Sequence, residues 1–311
     1  MATHSVSTYG NKTRVGWLAR DKTREAIAGY LFILPSLVGF VVFVLGPIVV
    51  AVGISFTHYD ILSAPTFAGL DNFVQLLQDP RLRITYANTA LFTLLAVTFN
   101  IGVALVLAVL INRKLPPFLK YIFRASYFFP VLVALAYSSI IWGYLYQKDT
   151  GIINYYLSIL GIDRIGWLSD KQWVMISIII LDVWKNTGFA MLVFLAGLQN
   201  IPQEYYEAAQ IDGANRWDLF RNVTLPLITP TLLLNLVIYM IGALQVFDSI
   251  QVLTQGGPGD ASRSVTMYVT ETAFQTLQMG YGSAIAITLF IIIMILTLVQ
   301  FRISRSWVFY E

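Results

Sequence analysis

The chain has 311 residues, 57% of them hydrophobic and only 12% charged, with a formal net charge of +3. Ordinary soluble domains carry about 25% charged residues, so this composition excludes one and points to a membrane. Cysteine is absent, which excludes a disulfide framework, a thiolate nucleophile and a cysteine-based zinc site.

Residues 1–27 read as a polar, basic tail. The apolar run behind it is too long for a signal peptide and lacks a small-residue cleavage site, so it is expected to stay as an anchor. Apolar stretches able to supply the roughly 20 residues of a spanning helix predict six crossings, at residues 28–56, 86–111, 118–146, 174–198, 226–254 and 282–301. The first contains Pro35 and Pro47, where kinks are expected. The loop 58–83, with turns at Ala64-Pro65 and Asp79-Pro80, is too short for a domain and forms a cap at most. The second crossing ends in the basic turn Asn112 to Pro117, and the third contains Pro130. In the loop 147–172, Tyr155, Tyr156 and Trp167 suit either a headgroup belt or a patch for a partner. The fifth stops at Gln255-Gly256-Gly257-Pro258-Gly259, and the sixth at Arg302 and Arg305.

Lysine and arginine fall unevenly between the two sides. Lys12, Arg14, Arg20, Lys22, Arg24, Arg113, Lys114, Lys120, Arg124, Arg216, Arg221, Arg302 and Arg305 share one side, against Arg81, Arg83, Lys148, Arg164, Lys171 and Arg263 on the other. Basic flanks stay in the cytoplasm during insertion. The expectation is therefore an all-α membrane protein of six transmembrane helices, residues 28–311, with both termini cytoplasmic. No clustered basic face argues for nucleic acid.

Between the fourth and fifth crossings lies a polar insert, residues 200–226, that reads as helix, turn, helix. Pro202 suits a first helical position, Gly213 the turn, Asn215 an N-cap, and Pro226 the closing point. Tyr205, Ala208, Ala209 and Ile211 crowd part of the first helix, while Trp217, Phe220 and Val223 recur every three residues on the second. This apolar patch either packs under the bundle or meets a partner.

Glu207-Ala208-Ala209, then Asp212-Gly213-Ala214, then Leu225-Pro226 resembles the signature loop of permease subunits of binding-protein-dependent ABC importers. Trp184, Leu198 to Pro202, Leu253 to Pro258 and Gly280 to Ala284 are similar to the carbohydrate branch, of maltose and glycerol-phosphate type, and the likeness covers roughly crossings two to six. The resemblance implies the type I importer permease fold in a bacterial or archaeal inner membrane. It makes Glu207, Ala208, Ala209, Asp212, Gly213 and Ala214 part of a coupling helix seated in a cytoplasmic ATPase, where Glu207 pairs with a basic group. The partners implied are an ATP-binding cassette ATPase pair, a second permease and an extracytoplasmic solute-binding protein. No cofactor is implied for this chain, with ATP and magnesium held by the ATPase. Consistently, the chain has no phosphate-binding loop of its own.

Ionisable groups inside crossings are costly and commonly line a pathway. Asp182, Lys185 and Asn186 share one helix face, either as a salt pair that fixes packing or as hydrogen-bonding groups for a polyol. On the fifth crossing Asn235, Tyr239, Gln245 and Asp248 are polar, and Gly242 permits close approach. The resemblance favours Asp182, Lys185, Asn186, Tyr239 and Gly242 as substrate-lining positions. It departs at Val131, Leu135 and Phe247, apolar here where the family has sugar contacts. Lys185 also leaves an anion such as glycerol phosphate open as substrate. His4 and His58 stand without ligand partners, so no metal site is expected, and no hydrolase or protease motif suggests an enzyme. The rival readings are an ion-coupled secondary transporter, for which only Asp182 and Asp248 could serve as relays and which lacks the usual internal repeat, and a membrane scaffold.

Overall fold

The computed structural model describes residues 14–113 and 115–309, with side chains from Arg24 onward. His4 and Lys12 of the tail, and Lys114 of the basic turn, lie outside these residues. The chain divides into two units, Met1–Gly53 and Ile54–Glu311.

In the first unit, α1 (Arg14–Phe40) begins inside the stretch expected as tail and continues through Pro35. A π turn, Val41–Leu45, joins it to α2 (Gly46–Ser55). Pro47 explains the turn, because its ring removes one donor and crowds the preceding carbonyls. The ladder widens in response, and the Gly46 N–H donates to Val41 O, five residues back. Arg24–Ser55 remains one helical run of 32 residues.

The second unit opens on a small hairpin, β1 (Thr57–His58) antiparallel to β2 (Thr66–Phe67). Asn72 of α3 (Asp71–Gln78) ties it down by donating to Ser55 O and Thr57 O, each at 2.9 Å. His58, expected to stand alone, lies 3.4 Å from Asp71, both exposed. α4 (Pro80–Asn112) starts before the expected residue 86, because Asp79 caps it. The Asp79 carboxylate accepts from the N–H groups of Arg81 (2.9 Å) and Leu82 (3.1 Å), and Pro80 takes the first position, where no N–H is needed.

The expected third crossing is broken. α5 (Pro117–Leu132) and α6 (Leu135–Leu145) meet at 100°, with Val133 and Ala134 extended between them. Pro130 cannot donate to the turn before it, and Val133 N–H falls back to Pro130 O at 3.2 Å. α7 (Ile152–Ile159) follows, then the uninterrupted α8 (Lys171–Asn200). Trp167 is not a headgroup anchor: it is buried, 5.5 Å from the Tyr146 ring, and donates to Asn154 Oδ1 at 3.1 Å, whereas Tyr155 and Tyr156 are exposed.

α9 (Gln203–Ile211) and α10 (Arg216–Leu219) form the expected helical hairpin. Pro226 does not close it. The chain continues through a π turn, Phe220–Thr224, into α11 (Leu225–Leu227), and turns by 63° only at Ile228. α12 (Thr229–Leu244) ends well before residue 254, and α13 (Asp248–Leu253) is a separate helix. α14 (Val265–Thr270), a π turn Glu271–Gln275 and α15 (Met279–Ser304) complete the order. Four described helices are long and apolar enough to cross a membrane, or six when each bent pair counts as one.

The core of this unit lies between α4 and α8. Ala96, Ala104 and Ala108 recur at multiples of four on α4 and are fully buried, so the backbones close in and Val174, Ile178, Met191 and Phe194 of α8 pack beside Phe92. Small residues at such spacing let helices approach where water supplies no drive.

Candidate functional site

Both helix breaks face one cavity of about 500 Å³. Its wall takes Val131 and Leu135 from either side of the α5–α6 break, and Gln245 to Asp248 from the α12–α13 break. Unwound backbone at membrane depth is tolerated where it lines such a space. α8 supplies Asp182, Asn186 and Phe189, α12 supplies Tyr239 and Gly242, and α4 supplies Asn100.

Asp182 is the polar centre. It accepts from Asn100 Nδ2 and from Asn186 Nδ2, both at 2.8 Å. Asn100 is held in turn by Ala96 O (2.9 Å) and accepts from Thr187 Oγ1 (3.3 Å). A buried carboxylate needs such donors, since an unpaired one is strongly penalised. Sequence reading missed Asn100, because a scan for charges passes over amides; its signal is an amide near the middle of a charge-free crossing.

Four of the five residues favoured as substrate-lining therefore come together, and Lys185 does not. Its side chain is buried and its Nζ donates to Val131 O at 2.8 Å, at the C-terminal end of α5. The salt pair with Asp182 is not formed, as no lysine lies within 4.0 Å of that carboxylate among the described residues. Position decides this: the break frees carbonyls that carry a partial negative charge, and the ammonium satisfies them. Lys185→Met keeps the bulk and removes the donor, so the complex is expected to lose about 1–3 kcal/mol of stability, read as a lowered melting temperature. Lys185→Arg should restore part of it.

Gly242 also has a different role from the one expected. A Cβ there would meet nothing within 4 Å, so the glycine enlarges the cavity and brings no helices together. Close approach occurs at Gly188, where a Cβ would fall 1.9 Å from Tyr127 O. Tyr239 spans the α8–α12 seam, donating to Asn186 O at 2.6 Å and accepting from Ala190 N–H at 3.1 Å. Asn235 is buried away from the cavity.

The hairpin joins α8 and α12, two of the helices that line the cavity. Gly213 turns it with φ +85°, a conformation costly for other residues. Asn215 caps α10 through Trp217 N–H (2.8 Å) and Asp218 N–H (3.1 Å), and Asp218 answers the Asn215 N–H at 3.1 Å. Neither α9 nor α10 buries a residue: Glu207, Ala208, Asp212 and Gly213 are exposed, and Ala209 and Ala214 half-buried. Ile211 is 86% and Trp217 65% exposed, so the apolar patch does not pack under the bundle. Tyr206 Oη and Thr224 Oγ1, 3.1 Å apart, link α9 to the turn below.

A second polar cluster went unread in the sequence because its members are far apart in the chain. Arg81 binds Asp260 in a fork, with Nε to Oδ2 at 3.0 Å and Nη2 to Oδ1 at 3.0 Å. Arg263 joins Asp260 and Glu271. Tyr268 and Tyr281 both donate to Asp79 Oδ2, at 2.7 and 2.6 Å. The Arg81 hydrogen bond holds the Asp260 carboxyl below its ordinary range against the cost of burial. At Asp79 burial is the largest influence and works against ionisation, yet the two tyrosines and the cap N–H groups together hold it low as well. The cluster is thus an ionised clasp between the start of α4, the loop after α13 and the start of α15.

Known proteins are similar to this chain in sequence and fold. Residues 100–308 match the family described as binding-protein-dependent transport system inner membrane component. The chain is 37% identical over 286 residues to a trehalose/maltose transport system permease of Thermococcus litoralis, covering 91% of this chain and 96% of that one. It is 32% identical over 288 residues to a lactose transport system permease of Rhizobium radiobacter, covering 90% and 95%. A crystal structure of a bacterial ABC transporter that imports the acidic polysaccharide alginate superposes with a TM-score of 0.81 at 26% identity, over 93% of this chain and 98% of that one. A second structure, of the alginate transporter in complex with a pentasaccharide-bound periplasmic protein, gives 0.82 at the same identity, over 92% and 96%. The matched region contains the Asp182 centre, the hairpin and all of the cavity lining except Phe92, Ala96 and Val97, and the chain belongs to the inner-membrane permease components of binding-protein-dependent ABC importers.

Proposed function

We propose that this chain is the non-catalytic permease subunit through which an ATP-driven importer passes a sugar or related polyol delivered by a solute-binding protein. The observation that carries the reading is the placement of the hairpin. An exposed, internally capped pair of helices with an apolar face is inserted between α8 and α12, which both wall the cavity. Motion imposed on it reaches both walls.

In this reading six crossings, α1–α2, α4, α5–α6, α8, α12 and α15, lie in a bacterial or archaeal inner membrane with both termini cytoplasmic. Glu207, Ala208, Ala209, Asp212, Gly213 and Ala214 seat the hairpin in an ATPase pair that holds ATP and magnesium. A second permease completes the pathway. The solute-binding protein docks on the opposite face, as the periplasmic protein does on the alginate transporter. Asp182, Asn186, Tyr239 and Gly242 line the substrate's passage, with Asn100 added and Lys185 withdrawn. Alternating access then follows from ATP-dependent closure of the hairpins, a population shift between two packings.

The test is uptake into proteoliposomes carrying the complex purified from its host, with its binding protein outside. Uptake should require internal ATP and ignore ionophores. Uptake that runs without ATP and collapses with an ion gradient would favour the ion-coupled alternative.

A further inference from the structure

Relatives of this chain serve solutes of different charge, from lactose and trehalose to an acidic polysaccharide, so family membership leaves charge selection open. The cavity does not. Its lining includes two carboxylates, Asp182 and Asp248, and no lysine, arginine or histidine. Asp248 is exposed on the first turn of α13, and no described cation lies within 4.0 Å of either acid. The nearest candidate, Lys185, is buried with its ammonium on Val131 O. We infer that this cavity selects by charge, admitting neutral or cationic hydroxylated solutes and rejecting anionic ones, with Asp182 and Asp248 as the specificity-determining residues. The inference rests on the proposed function, in that the cavity must be the solute's path.

Two opposing terms need weighing. The α6 N-terminus beside Leu135 offers about half a positive charge, less than either full carboxylate. The N-terminus of α13 is already offset by Asp248 itself. The amides of Asn100 and Asn186 could meet an anion, but both donate to Asp182. What remains for a ligand are mainly acceptors, the two acids and unwound carbonyls, with one amide, Gln245, that both donates and accepts, above the apolar floor of Val131, Leu135 and Phe247. Hydroxyl and ammonium groups satisfy acceptors, and a carboxylate or phosphate does not. The glycerol-phosphate option left open by the sequence is withdrawn with Lys185.

The test is saturation-transfer NMR on the complex in nanodiscs, without binding protein, using glucose, glucosamine and glucuronate as probes of one ring in three charge states. Gly242→Trp fills the cavity and marks which transfer arises there; Gly242→Gln replaces it should the larger residue lower the yield. Cavity-dependent transfer is expected for glucose and glucosamine, with glucuronate weaker by roughly tenfold. The double variant Asp182→Asn, Asp248→Asn should raise glucuronate towards glucose. Cavity-dependent glucuronate transfer equal to that of glucose overturns the charge inference while leaving the pathway intact. Transfer that Gly242→Trp leaves untouched for all three sugars overturns the pathway itself, and the inference with it.

Discussion

Replacing Glu207 by lysine is expected to cut ATP-driven uptake by at least about 30-fold, while the chain inserts and folds as before. Glu207 is exposed on α9, a helix without buried residues, and its carboxylate forms no hydrogen bond or ion pair with any described residue. Exposed substitutions of this kind change a protein's own stability by no more than about 0.5 kcal/mol. The carboxylate is therefore free for a cation outside the chain. Reversing one charge of a buried interfacial pair costs about 2–5 kcal/mol, which corresponds to roughly 30- to 4,000-fold in association. Co-purification of the ATPase measures that loss directly, and Glu207→Gln should lie between the two. Intact co-purification with undiminished uptake would remove the hairpin from the mechanism.

Gly188→Val is expected to strike the fold instead. The α5 backbone passes so close to α8 that an added Cβ would sit 1.9 Å from Tyr127 O, 2.7 Å from its carbonyl carbon and 3.1 Å from Phe128 Cα. These are backbone atoms and cannot rotate away, so α5 must lift. Lifting it draws Val131 O from Lys185. Overpacking of this kind costs about 3 kcal/mol, and the complex should melt roughly 5–10 °C lower. Gly242→Ala is the control, because nothing lies within 4 Å of its Cβ and no shift is expected. Equal melting of the two variants would show that α5 does not rely on this contact.

What could be read in advance follows from the range of the interactions. The turn and cap of the hairpin were legible, since Gly213 and Asn215 act on their own neighbours, whereas its end was not, because the chain continues through Pro226. The crossings were legible as apolar lengths. Their breaks were not, because an apolar run has the same composition whether or not it bends. Pro130 marks the first break but forces no angle, and Gln245 to Phe247 carry no breaker at all. Lys185 was placed on the right helix face and given the wrong partner. Its acceptor, Val131 O, is exposed by a break the sequence did not announce. The clasp of Asp79, Arg81, Asp260, Arg263 and Glu271 joins positions about 180 residues apart, and no local pattern links them.

α8, 30 residues long and with no proline or break inside it, is a cavity wall that leads into the hairpin by way of Ile201 and Pro202. At 1.5 Å per residue the distance from its hairpin end to Asp182 is about 27 Å, which makes it a stiff lever pivoting at that end. A tilt of roughly 5° sweeps Asp182 sideways by about 2 Å, comparable to the difference between a made and a lost hydrogen bond. A small rotation of the hairpin is thereby amplified into a displacement of the cavity's polar centre.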